Sequence, residues 1–204
     1  MPPRADTRTR VLHAAARTLA DEGYGRCTAR AVAKTGGFAP GVIYYHFTDM
    51  DDLFVATSQF TSEARLARYR AELDGVTTAT DTLARLRRLY DEDGAAGHIA
   101  AVQELVAAAN ANARLAEQVK VQTAVWQDFA AGVIERLLAG TPLAELIPVR
   151  EVATAAVALY LGMEMLSHLD AHRLGPDALF DAAERFAPLV DAWRLSLAEP
   201  DGSA

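Results

Sequence analysis

Cysteine is nearly missing from this chain: Cys27 stands alone among 204 residues. A lone thiol closes no internal disulfide, which excludes a disulfide-stapled secreted scaffold and fits a reducing compartment. Long apolar runs are missing too. No stretch of 18 apolar residues occurs, so no helical membrane span is expected. The opening MPPRADTRTR lacks the apolar centre of a secretory leader, and a cytoplasmic protein is expected. The sequence has no convincing strand alternation, no internal repeat and no low-complexity linker. Enzyme signatures are absent: no G-x-S-x-G, no phosphate loop, no cysteine pair and no H-E-x-x-H. Cys27, next to Thr28, reads as a packing residue rather than a nucleophile. Neither a cofactor nor a metal is expected.

What is present is apolar residue in helical rhythm. Hydrophobic residues make up 51% and charged residues 23%, enough for a packed core and too little charge for wholesale disorder. The formal net charge is -7, which by itself argues against a nucleic-acid partner. Its distribution reverses that. Residues 1–50 hold seven cations (Arg4, Arg8, Arg10, Arg17, Arg26, Arg30, Lys34) against four acids (Asp6, Asp21, Glu22, Asp49), so the head carries +3 and the remainder -10. A basic head on an acidic body suits local DNA contact with little non-specific affinity.

The periodicity predicts helices throughout. The first covers 5–22, with Val11, Leu12, Ala15, Ala16 and Leu19 as its apolar stripe and Gly23 as its stop. Thr28 caps a second helix that buries Ala29, Ala31 and Val32. Gly36 and Gly37 make a turn, Phe38 anchors it, and Pro40 sits in the first turn of a short third helix that buries Ile43 and Phe47. Thr48-Asp49-Met50-Asp51 restarts the chain with a cap and acids in the first turn of a helix reaching residue 73. Further helices are predicted over 78–91, 98–111, 114–138, 148–173 and 177–197, with breaks at Gly94 and Gly97, Asn110–Asn112, Gly140–Pro142 and Gly175-Pro176. Residues 199–204 read as a frayed tail. The fold class is all-α, with a three-helix head over 1–50 and a larger helical domain over 51–198.

Helix, glycine turn and short helix in that order make a helix-turn-helix, whose second helix enters the major groove. The pattern extends through TRTRVLHAAARTLADEGY, CTARAVA and GFAPGVIYYHFTDMDDL. This whole arrangement, Thr7 to Leu53, resembles the N-terminal domain of TetR-family transcriptional regulators. The resemblance implies a homodimer on a pseudo-palindromic double-stranded operator, with a C-terminal domain that dimerises and takes a small-molecule effector. It places Thr28, Arg30, Pro40, Gly41, Val42, Tyr44, Tyr45, His46 and Thr48 at the DNA. Their chemistry fits: Arg30 can pair with guanine O6 and N7, Val42 can touch a thymine methyl, and tyrosine hydroxyls donate to phosphates. Of the two tyrosines, Tyr44 is the one expected to pack on the first helix. Two positions depart from the family pattern: Ala39 stands where a serine or threonine cap is usual, and Met50 where a lysine pairs with phosphate.

The larger domain offers candidates without a motif. Tyr90, Gln103, Trp126, Phe129, Tyr160 and Met163 are placed to line an apolar effector cavity, although aromatics at helical spacing also build plain core. Leu159, Leu166, Phe180, Phe186, Val190 and Trp193 lie on apolar faces wide enough to pair across a two-fold axis as a four-helix bundle. Glu164, His168 and His172 recur every four residues. That spacing serves a metal face or a polar stripe at a pocket wall or dimer seam, and zinc normally needs a further firm ligand or an open water position. The expected function is an effector-released repressor. A regulator with no small-molecule inducer, and an enzyme or carrier using the helical cavity, are the alternatives.

Overall fold

The computed structural model describes residues 4–167 and 176–198. The chain is all-α, with no strand among the described residues. Its helices are α1 (Arg4–Glu22), α2 (Ala29–Gly36), α3 (Gly41–His46), α4 (Met50–Glu72), α5 (Ala79–Ala95), α6 (His98–Ala109), α7 (Ala113–Leu138), α8 (Leu143–Leu146), α9 (Val149–Ser167) and α10 (Pro176–Ala198). A 3-10 turn, Tyr24–Arg26, links α1 to α2. No described helix is long and apolar enough to cross a membrane.

Contacts gather the chain into two compact units: Met1–Arg68 with Asp91–Gln122, and Tyr69–Tyr90 with Thr123–Ala204. In the first, the apolar stripe of α1 is wholly inside. Val11, Leu12, Ala15 and Leu19 meet Val32 of α2, Ile43 of α3, Phe47, and Leu53 and Phe54 of α4. Each large aliphatic side chain so buried contributes about 1.5–3 kcal/mol, which makes α1 the shaft on which the three short elements are hung. Ala33, not Ala31, is the second fully buried position of α2, and Ala31 is half-buried.

The same core continues into α6 and α7 through Ala101, Leu105 and Leu115. Polar pairs tie these elements to the head. Thr18, buried on α1, donates to the Ala14 carbonyl and lies 2.9 Å from the Thr35 hydroxyl. The Tyr24 amide donates to Glu104 Oε2 of α6 at 2.6 Å. Deeper in the unit, Asp93 of α5 is fully buried against Arg65 of α4 at 2.6 Å, with Arg68 on its other oxygen and His98 Nδ1 at 3.3 Å.

That anchor explains a departure from the predicted boundaries. Glycine in a helix costs about 1 kcal/mol relative to alanine, and Gly94 was expected to break the chain. Instead α5 runs through it to Ala95, because Asp93 is fixed from α4, and the helix stops only at Gly97, with φ 75°. The four-residue α8 was not foreseen either, being too short to show a period. The predicted helix over 148–173 is seen as α9 up to Ser167, and the rest of that prediction lies outside the described residues.

In the second unit, Asp191 of α10 reaches the start of α5, accepting from the Ala79 and Thr80 amides and the Thr80 hydroxyl at 2.6–3.0 Å. This carboxylate caps a helix N-terminus, where orphan amides and the helix dipole both favour negative charge. Arg87 of α5 binds Asp181 and Glu184 of α10. Two aromatic groups fill the unit: Tyr69, Trp126 and Phe129, with centroids 5.2–6.2 Å apart, and Tyr90 with Tyr160 at 6.3 Å and Phe180 at 5.4 Å.

Candidate nucleic-acid interface

The end of α2 sets the angle at which α3 leaves. Thr28 opens α2 by accepting the Ala31 amide at 3.3 Å. Gly37 closes it in the left-handed region, φ 65°, a conformation that costs glycine nothing and a side chain much more. The Phe38 amide then returns to the Ala33 carbonyl at 3.1 Å. Phe38 folds back over Gly36 so closely that a Cβ there would lie 2.0 Å from the ring. The two glycines therefore have different causes: Gly37 supplies a dihedral and Gly36 supplies room.

Six residues form α3, too few for a stable isolated helix. It is held by what it buries: Ile43 is sealed, and Phe47, just past its end, is sealed beside it. The chain restarts through a reciprocal cap. Asp49 Oδ1 accepts the Asp52 amide at 2.7 Å, and Asp52 Oδ2 accepts the Thr48 amide at 2.9 Å. The Asp52 amide, and then Arg114, hold the Asp49 carboxyl below its ordinary range.

With both ends fixed, one face of α3 is left to solvent. Tyr44 is 56% and Tyr45 63% exposed, and His46, half-buried, stacks edge-on against Tyr45 with centroids 5.1 Å apart. The expectation that Tyr44 packs on α1 is corrected: Ile43 and Phe47 fill that place, and both tyrosines face outward. Pro40, Gly41 and Thr48 are exposed with them, as are Thr28 and Arg30 at the start of α2. Val42 is half-buried and packs against the core, so it offers less surface than its neighbours. Exposed phenol, imidazole and guanidinium groups on the edge of a helix-turn-helix are donors for phosphate oxygens and base edges.

Two features of this surface were not legible locally. Met50 is half-buried and packs against the head core, so an apolar contact replaces the cation that the TetR pattern has there. Arg114, at the start of α7, brings a guanidinium to within 3.0 Å of Asp49, one residue away. A separation of 65 residues leaves no sequence signal for that pairing.

The other expected sites separate. Among the effector candidates, Trp126 and Phe129 pack edge-to-face with Tyr69, Tyr90 and Tyr160 pack together with Phe180, and Met163 is half-buried on α9. Gln103 belongs to the first unit, the rest to the second. A cleft of about 320 Å³ opens in the second unit, lined by Arg70, Leu73, Asp74, Asp128, Phe129, Gly132 and Arg136. Its rim is charged, and Phe129 is the one expected residue that reaches it. Leu159, Leu166, Phe186, Val190 and Trp193 stand exposed on α9 and α10, Phe186 by 65%, whereas Phe180 is turned onto Tyr90. Glu164 is buried, His168 and His172 lie outside the described residues, and no metal-binding cluster of His, Cys, Asp and Glu occurs among the described ones.

Comparison with known proteins agrees with this geometry. Residues 11–57 match the family described as bacterial regulatory proteins, tetR family. The HTH-type transcriptional regulator UidR of Escherichia coli is 27% identical over 175 residues, covering 85% of this chain and 87% of its own length. The HTH-type transcriptional repressor AcnR of Corynebacterium diphtheriae is 36% identical over 81 residues, covering 40% of this chain and 42% of its own. The fold matches the transcriptional regulator FadR of Bacillus subtilis, solved in complex with stearoyl-CoA, with a TM-score of 0.71 at 17% identity over 88% of this chain and 96% of that one. These relatives are transcriptional regulators rather than enzymes, and residues 11–57 of this chain carry the helix-turn-helix of the tetR family of bacterial regulatory proteins.

Proposed function

We propose that the protein is a cytoplasmic repressor that binds a pseudo-palindromic operator as a homodimer and is released by a small hydrophobic effector. Residues 1–50 are the DNA-binding head in this reading, and residues 51–198 serve dimerisation and the effector. The observation that carries it is the outward face of α3: Tyr44 and Tyr45 exposed, with half-buried His46 against Tyr45, on a helix whose inward side chains are sealed. Aromatic surface exposed on so short a helix favours a partner, and a helix-turn-helix presents such a helix to a major groove.

Dimerisation is supported by the apolar side chains that α9 and α10 leave uncovered in the single chain: Leu159, Leu166, Phe186, Val190 and Trp193. Isologous pairing of such a face gives a two-fold axis, and two-fold symmetry is what a pseudo-palindrome requires. Release follows if the effector-bound dimer holds its two α3 helices at a spacing other than the ~34–36 Å between successive major grooves. Coupling is then reciprocal: operator weakens effector binding by the factor with which effector weakens operator binding.

The test is operator selection from genomic fragments, followed by gel shifts with Tyr45→Ala and His46→Ala. Loss of a base-edge contact lowers operator affinity by about 1–3 kcal/mol while the thermal midpoint stays put. Variants that bind operator as tightly as the parent protein overturn the assigned face.

A further inference from the structure

The cleft of about 320 Å³ in the second unit lies where the end of α4 meets α7. Asp128, Gly132 and Arg136 line it from one face of α7, four residues apart, and Arg70, Leu73 and Asp74 line it from the last turn of α4 and just beyond. Leu73, 1% exposed, and the half-buried ring of Phe129 give it an apolar wall. Gly132 makes the room. Glycine is a poor helix residue, yet this one sits in the interior of the 26-residue α7. A Cβ built on it would have Arg136 Nη1 as its nearest neighbour, at 3.9 Å. The Arg136 guanidinium therefore lies back along α7, beside backbone that carries no side chain.

The charges lining the cleft do not balance. Asp128 is engaged by Arg150 of α9. Arg70, Arg136 and Asp74 take part in no ion pair among the described residues. Two unpaired guanidinia thus share the cleft with one unpaired carboxylate. An excess of positive charge in a concave site with an apolar wall concentrates anions. The planar fork of arginine matches a carboxylate with two parallel hydrogen bonds. Apolar surface with a few polar groups that fix charge and orientation is the plan of a small-molecule site.

We infer that this cleft is the recognition site for an organic acid, a carboxylate carried on a compact aromatic body. This rests on the effector reading above and deepens it: the ligand is hydrophobic, and it is also negatively charged. The body lies on Leu73 and Phe129 in the space that Gly132 leaves, and the carboxylate is held by Arg70 and Arg136. Cations of the same shape are repelled by the same two guanidinia, so the site selects by negative as well as positive contacts.

The experiment uses three probes of nearly equal shape: 2-naphthoate, the uncharged 2-naphthamide and the cation 2-naphthylmethylammonium. Binding of each to the full-length protein is measured by calorimetry. Naphthoate is expected to bind at least about tenfold more tightly than either of the others. Both arginines are exposed, so the double change Arg70→Gln with Arg136→Gln should leave helical content unchanged while naphthoate affinity falls at least about tenfold. Gly132→Leu puts a strong helix former in place of glycine and fills the cleft, and it should abolish naphthoate binding in a well-folded protein. The proposal is overturned if naphthoate does not bind, if the amide or the cation binds as tightly, or if either variant binds naphthoate as the parent does. The comparison of probes on the unmodified protein stands even where a variant folds poorly. Gel shifts in parallel separate the two readings: a protein that binds operator and ignores naphthoate remains a regulator without this site, and one that binds naphthoate but no operator keeps the site and loses the regulator.

Discussion

Replacing Asp93 by asparagine removes one charge from the interior of the first unit. The Asp93 side chain is fully buried, and Arg65, which it holds at 2.6 Å, is itself only 7% exposed. Without that carboxylate the buried Arg65 guanidinium loses an anionic partner, and breaking a buried pair in this way costs about 3–5 kcal/mol. A second route gives a similar figure. Burial alone would raise the Asp93 carboxyl, but the His98 hydrogen bond and the Arg65 and Arg68 guanidinia more than offset it and hold it at about 2, against an ordinary 3.8. That difference corresponds to ~2.5 kcal/mol in favour of the charged form. The neutral asparagine resembles the protonated acid, so this is the lower end of the range. For a chain of this size each kcal/mol moves the midpoint by ~2–4 °C, and a fall of ~5–20 °C is expected at pH 7. The sign with pH follows from the depressed value. The stabilisation is present in full above pH 3.8 and is lost as pH falls towards about 2. The gap between parent and Asp93→Asn, measured by urea unfolding, should therefore close between about pH 4 and pH 2. A gap below ~1 kcal/mol at pH 7, or one that stays constant down to pH 2.5, refutes the assignment of a buried, charge-stabilised pair.

Three further outcomes are expected. Installing lysine at Met50 adds a cation beside the restart of α4, its stem lying along the apolar contact that methionine now makes; the salt slope of operator binding should steepen by up to about one per subunit, and an unchanged slope places that position away from the phosphates. Phe186→Glu puts a charge on the exposed face of α10, so sedimentation should show monomers that bind operator poorly, and a dimer that survives the change moves the two-fold axis elsewhere. Burial, and then Glu22, push the Cys27 thiol up to about 12, leaving ~10⁻⁴ of it as thiolate at pH 8; a thiol reagent should leave the native protein unmodified and react fully in guanidinium chloride, and rapid labelling of the native state contradicts that environment.

Sequence alone determined what is local. The stripe of α1, the Thr28 cap, the turn at Gly37 and the inward pair Ile43 and Phe47 follow from period, cap chemistry and dihedral preference within a few residues, whereas Gly36, expected in the turn, is the last residue of α2. A helix-turn-helix is legible because its signals are separated by three or four positions. What only the tertiary structure decided involves partners far apart along the chain. Gly94 stays helical because Arg65, 28 residues away, fixes Asp93. Tyr24 is held by Glu104 across 80 residues, and the start of α5 by Asp191 across more than a hundred. Tyr44 faces outward because Ile43 and Phe47 already fill the core beside it. Glu164 carried a polar spacing in the sequence, but its burial and its hydrogen bond with Tyr90 of α5 depend on how the helices meet. Local rules fix backbone shape because the competing conformations differ within one turn. Long-range pairing depends on which surfaces exclude water from one another, and that is settled only when the helices pack.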